Sequence, residues 1–135
     1  MLASVPVVMR EIRAAMRQAA PAGLGVPQFR ALIFAQRQPG AGVGDLAAHL
    51  GVTLPTASVT VSGLAQRGLL RVQVDATDKR RKAVALTPAG KAVVDAAWTQ
   101  TEADFSDRLA ALSATQLNQM RSALALLANC LSASP

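Results

Sequence analysis

The sequence predicts a mainly α-helical protein with one small β-hairpin. Over most of the 135 residues, apolar side chains recur at three- and four-residue steps, the spacing of helices with one buried face. Only two short runs, Leu69–Val74 (LLRVQV) and Ala83–Leu86 (AVAL), alternate with period two, and they flank the hydrophilic tip Asp75–Lys82 (DATDKRRK). That pattern is an antiparallel hairpin with one face buried. The apolar fraction is 51% but aromatics are only 3% and Tyr is absent. The core must therefore be Leu, Val, Ala and Ile, which at this alanine content favours helices. A chain of this length can form one domain with a substantial core.

Taken in order, Val5, Val8, Met9, Ile12 and Met16 form one stripe on a helix from about residue 5 to 18, with Arg10, Arg13 and Arg17 off it. Pro21, Gly23 and Gly25 break the chain. Pro27 suits the first turn of a second helix, with Phe29, Leu32, Ile33 and Gln36 following to about Gln38, where Pro39-Gly40-Ala41-Gly42 ends it. Asp45–Leu50 (DLAAHL) is a short helix with Leu46, Ala47 and Leu50 on one face, stopped by Gly51 in the left-handed conformation. Thr53 is the expected N-cap of a helix with Pro55 in its first turn, running to about Arg67 and stopped by Gly68. The hairpin follows directly. Thr87-Pro88 then opens a long helix carrying Val94, Trp98, Thr101, Phe105, Leu109 and Leu112 at helical spacing. Ser113-Ala-Thr-Gln116 matches a capping box, and Leu117, Met120, Leu124 and Leu127 stripe the last helix. There is no internal repeat and no low-complexity tract. The two long C-terminal helices, each with one apolar stripe, and the N-terminal helix carry more apolar surface than one small lobe can cover, so homodimerisation is the physical expectation.

The charge is uneven. Residues 1–44 carry five Lys/Arg against one acid, residues 45–90 six against three, and residues 91–135 three against four. A polyanion is the expected partner of the first two-thirds. No apolar run is long enough to span a membrane, and the first arginines follow rather than precede the N-terminal apolar stretch, the wrong order for a secretory signal. A single cysteine excludes an internal disulfide and fits a cytoplasmic location. One His and one Cys cannot close a zinc site without carboxylates, and no nucleophile–base set or phosphate loop is present. The expectation is a non-enzyme without metal or cofactor. Glu102, Asp104 and Asp107 read as a solvated helix face.

The tip carries four consecutive cations, Lys79, Arg80, Arg81 and Lys82. On its own such a run reads as a solvated hairpin end. Placed directly after helix, glycine turn and helix, it reads as the wing of a winged helix-turn-helix aimed at a duplex phosphate backbone.

The motifs LAAHLGV (46–52), LPTASVTVSGLAQRGLL (54–70), DATDKR (75–80) and LTPAG (86–90), in this order and spacing, resemble the MarR family of bacterial transcriptional regulators. The resemblance covers essentially the whole chain and is weakest over residues 1–25. It implies a winged helix-turn-helix lobe over about residues 27–87 and a helical dimerisation body from residues 1–20 and 88–135, within one domain of 1–135. It further implies a cytoplasmic homodimer on double-stranded DNA, its lobes in consecutive major grooves of a pseudo-palindromic operator, half-sites about one helical turn apart. The arginine two residues after the second wing aspartate, here Arg80, would enter the minor groove. Asp78 would orient the wing by pairing with a basic side chain.

On the helix 54–67, Ala57, Thr60, Val61 and Leu64 share an inward face, leaving Pro55, Thr56, Ser58, Val59, Ser62 and Gly63 for the groove. The DNA-binding set is therefore Thr53, Pro55, Thr56, Ser58, Val59, Ser62, Asp78, Lys79, Arg80, Arg81 and Lys82. The family often has arginine at the positions of Val59 and Gly63. Without those arginines, readout falls to Thr56 and Ser58 hydroxyls, Val59 against a thymine methyl, the wing and DNA shape. Family members also bind small aromatic or anionic effectors. Met16, Phe29, Phe34, Trp98 and Phe105 are the candidate effector-lining side chains here, and core packing is the competing reading for each. His49 is either a rim histidine or a phosphate contact. Cys130 is expected to be buried and inert, since the redox-sensing members use a cysteine near the N-terminus. The functional expectation is a DNA-binding repressor released by a small molecule. The alternative is a winged-helix adaptor that binds protein and has lost specific DNA binding.

Overall fold

Why each helix begins where it does is written in local chemistry, and the computed structural model, which describes residues 2–21, 23–74, 76–78 and 80–133, shows it. The chain falls into two compact units, residues 1–101 and 102–135. In the first unit, a short 3-10 turn (Leu2–Ser4) leads into α1 (Val5–Ala19), and α2 spans Val26–Arg37 with Pro27 in its first turn. Helix α3 (Val43–Leu50) starts two residues earlier than its apolar pattern indicates. Extended Gly42 caps it, and the Asp45 carboxylate accepts the Gly42 N–H at 2.9 Å, satisfying a donor that the first turn would orphan. Gly51 ends α3 at φ 69°, in the left-handed region, and Thr53 Oγ1 accepts the Thr56 N–H to start α4 (Leu54–Gln66).

One core joins these pieces. Leu32 of α2, Leu46 of α3 and Leu64 of α4 are fully buried, together with Val84 and Val94. Ala57 and Val61 complete the inward face of α4 as expected, and Thr60 is half-buried beside them. Strands β1 (Leu70–Val74) and β2 (Lys82–Leu86) pair antiparallel with Leu70 opposite Leu86 and Val72 opposite Val84. The alternation thus places the right residues on one face, but the expected burial of that face holds only at the hairpin base. Val72 and Val74 are 40% and 58% exposed, because past Leu70 strand β1 leaves the core. A bridge not foreseen from the sequence supports the base: the Val84 N–H donates to the Ala41 carbonyl at 2.8 Å, and Gly42 pairs with Ala83.

Helix α5 (Pro88–Arg108) is fastened to the hairpin by Thr87, whose hydroxyl donates to the Gly68 carbonyl (2.6 Å) and accepts the Gly90 N–H (3.0 Å). It is fastened to α2 by Gln36, which donates to Asp95 at 2.9 Å, and by Arg37, whose guanidinium lies 5.6 Å from the Trp98 ring centre. The Lys91 ammonium and the Gln36 amide hold the Asp95 carboxyl below its ordinary range. A carboxyl depressed in the folded state stabilises above its unfolded value of about 3.9 and ceases to as pH falls through the folded one. Asp95→Asn is therefore expected to lower the urea midpoint at neutral pH, with the gap to wild type closing below pH of about 4. A gap independent of pH would show that the charge is not involved.

In the second unit, α5 ends at Arg108, so Leu109 and Leu112 lie in the connecting turn and not on the helix as their spacing had indicated. Ser113 and Gln116 form the reciprocal capping box at 3.2 and 2.9 Å and start α6 (Ala114–Ser132). No residue of α6 is buried in the single chain. Leu124, Leu126 and Leu131 are each at least 60% exposed. For the same reason Cys130 is exposed, which corrects the expectation that it is buried. No described helix is long and apolar enough to cross a membrane.

Candidate nucleic-acid interface

Helix α4 turns one face to the core and the other to solvent. Thr53 at its cap and Pro55, Thr56, Ser58, Val59 and Ser62 are all exposed. Val59 is 74% exposed and Leu54, which the sequence reading did not single out, 55%. The Thr53 and Thr56 hydroxyls lie 2.9 Å apart and share one hydrogen bond. Ser58 has no such neighbour among the described hydrogen bonds.

The wing converges on this face. Ser58 and Leu54 of α4, the α3 start at Gly42–Asp45, and Arg80, Arg81 and Lys82 line one open cleft of about 610 Å³. Three cations thus stand around the first turns of two helices, whose N–H ends also favour anions. The Asp78 carboxylate accepts the backbone N–H of Arg80 at 3.0 Å, and its carbonyl accepts that of Arg81 at 3.0 Å. Asp78 therefore shapes the wing through its backbone. Among the described residues it does not hold the basic side chain that the resemblance implied, because its short side chain reaches the nearer amide first. Lys79 lies outside the described residues. His49 is exposed, its ring centre 5.0 Å from that of Phe34.

A second cleft, of about 400 Å³, opens between α1 and α2. Of the five candidate effector residues it brings together Met16 and Phe29. Phe34 is 3% exposed inside the core, Trp98 packs against that core, and Phe105 lies in the second unit, on a cleft with Leu109 and Met120. Leu24, Val26 and Ile33 add apolar wall, and Arg13, Arg17 and Arg30 add three cations. Those arginines were missed. Arg13 lies three residues before Met16 and four before Arg17, a usable helical spacing, but nothing local in the sequence marks Arg30.

The MarR family model matches residues 22–81, the segment from the α1–α2 connection to the wing. Among solved structures, a MarR-family transcriptional regulator from Rhodococcus sp. RHA1 is 28% identical, covers 89% of this chain and 86% of its own, and superposes with a TM-score of 0.64. A point variant of S. aureus MepR bound to an oligodeoxyribonucleotide is 28% identical over 94% of this chain and 97% of its own, with a TM-score of 0.63. CouR from Rhodococcus jostii RHA1 bound to p-coumaroyl-CoA is 28% identical over 90% and 85%, with a TM-score of 0.61. No curated protein matches the sequence.

Proposed function

We propose that this chain, a winged helix-turn-helix protein of MarR type, is a sequence-specific double-stranded DNA-binding regulator acting as a homodimeric repressor that a small molecule releases. The observation that carries the reading is the convergence of the exposed α4 face with Arg80, Arg81 and Lys82 around one cleft. Phosphate contacts from the wing would set the register, while Ser58 and Val59 would meet base edges. The similar MepR structure is bound to an oligodeoxyribonucleotide, which supports the same partner here. Residues 27–87 would form the DNA lobe. The exposed apolar faces of α1 and α6 support a second copy of the chain as their cover, and with it a pseudo-palindromic operator. The α1–α2 cleft supports an effector with an apolar body and a negative group, since the charged groups among its described lining residues are all arginines.

The test is binding of the purified protein to duplex DNA from upstream of its own gene, against a scrambled duplex, across a salt series. Two wings that neutralise about six phosphates give log K a slope of about −5 in log salt. The expected result is specific, salt-steep binding at one dimer per site. Absence of binding to any duplex at low salt, including a random pool, would overturn the reading. It would favour instead an adaptor that uses exposed Leu54 and Val59 to hold a protein.

A further inference from the structure

Helix α3 ends at Leu50, so the carbonyls of its last turn have no helical N–H to accept. Those of Ala47 and Ala48 accept the N–H groups of Val52 and Gly51. The His49 carbonyl is taken from outside the helix, by Arg30 Nη2 of α2 at 3.3 Å. One turn further along α2, Phe34 packs against the His49 ring. Helix α2 therefore grips both the backbone and the side chain of a residue in the last turn of α3, just before the turn into α4, the recognition helix of the proposed DNA-binding reading. Arg30 also lines the α1–α2 cleft. The far end of α4 is tied to the same cleft, because Arg67 at its C-terminus donates to the Gly23 carbonyl at 2.7 Å, beside Leu24 and Gly25 of the lining.

We propose that Arg30 is a positioning residue that couples the cleft to the recognition helix: its guanidinium holds the end of α3, and an anionic effector in the cleft competes for it. The inference rests on the effector-responsive DNA-binding reading. A guanidinium prefers a carboxylate, which it can grip with two parallel N–H donors, over a single neutral carbonyl. Once drawn into the cleft, it leaves the negative end of α3 without its cation. The turn at Gly51 and Val52 then loosens, and with it the angle at which α4 is presented to a groove.

The readout is amide hydrogen exchange at Gly51 and Val52 in the full chain, which needs no DNA. Arg30→Met keeps the apolar stem and removes the donors. It is expected to speed exchange at these two amides about two- to five-fold while the melting temperature stays near that of wild type. Arg30→Lys, which keeps a cationic donor, should restore part of the protection. Octanoate is the effector probe, with octanol as its neutral counterpart. Octanoate, but not octanol, is expected to speed exchange in wild type and to weaken duplex binding, and to add nothing in Arg30→Met. Unchanged exchange in Arg30→Met would overturn the positioning role. Equal responses to octanoate in wild type and Arg30→Met, or no response in wild type, would overturn the competition. Failure of wild type to bind any duplex would instead count against the regulator reading, with the exchange result standing apart from it.

Discussion

Gly90→Ala is expected to destabilise the fold by about 3 kcal/mol, at the upper end of overpacking costs and a large share of a small domain's stability. A β-carbon at Gly90 would stand 2.0 Å from the Leu69 carbonyl oxygen and 3.0 Å from both its carbon and a Leu86 methyl. The nearest obstacle is backbone, and that backbone is already engaged: the Thr87 N–H donates to the same Leu69 carbonyl. Relief would require α5 to move off the hairpin base, breaking the Thr87 hydroxyl bonds to Gly68 and Gly90 that set its start. Gly63 in α4 is the control, because nothing lies within 4 Å of its would-be β-carbon. Gly63→Ala should stabilise by up to about 1 kcal/mol, since alanine is the better helix former. Urea unfolding of the two variants checks both signs. A Gly90→Ala midpoint equal to wild type would mean that the hairpin–α5 junction yields to a methyl group without cost.

Arg80→Ala is expected to weaken duplex binding at fixed salt by about 10- to 100-fold, one lost contact of about 1 kcal/mol or slightly more on each of two wings. It should also flatten the salt slope by about 2, one phosphate per wing. The wing itself should survive the change. Asp78 grips the backbone N–H of Arg80, not its side chain, so alanine keeps the turn. Arg80→Lys separates charge from shape: it should restore the salt slope, but only part of the affinity if the planar guanidinium sits in a narrow groove. Unchanged affinity in Arg80→Ala would remove the wing from the interface.

These two substitutions also mark where sequence reading succeeds and where it stops. Thr53, Ser113, Gly51 and Gly68 could be assigned as caps and stops because a cap is a contact over three or four residues. The inward face of α4 was legible from period alone, and so was which hairpin residues share a face. Burial of Val72 and Val74 was not, since alternation states which residues share a face but not how far the neighbouring helices extend beneath it. Leu109 and Leu112 kept helical spacing in a segment that is a turn, because periodicity does not mark its own end. Asp78, which the resemblance pairs with a basic side chain, accepts the amide of Arg80 two residues away among the described residues.

What the sequence by itself determined is the order of helices, their caps, the basic hairpin, and the presence of more apolar surface than one chain covers. All of these depend on contacts within a few residues or on summed composition. Only the tertiary structure decided that the would-be β-carbon of Gly90 meets the Leu69 carbonyl and that Met16 and Phe29 share a cleft while Phe34 does not. It likewise decided that Arg30 reaches the His49 carbonyl, 19 residues along the chain. Such contacts depend on where packed helices carry distant residues, and no local preference of either partner records them.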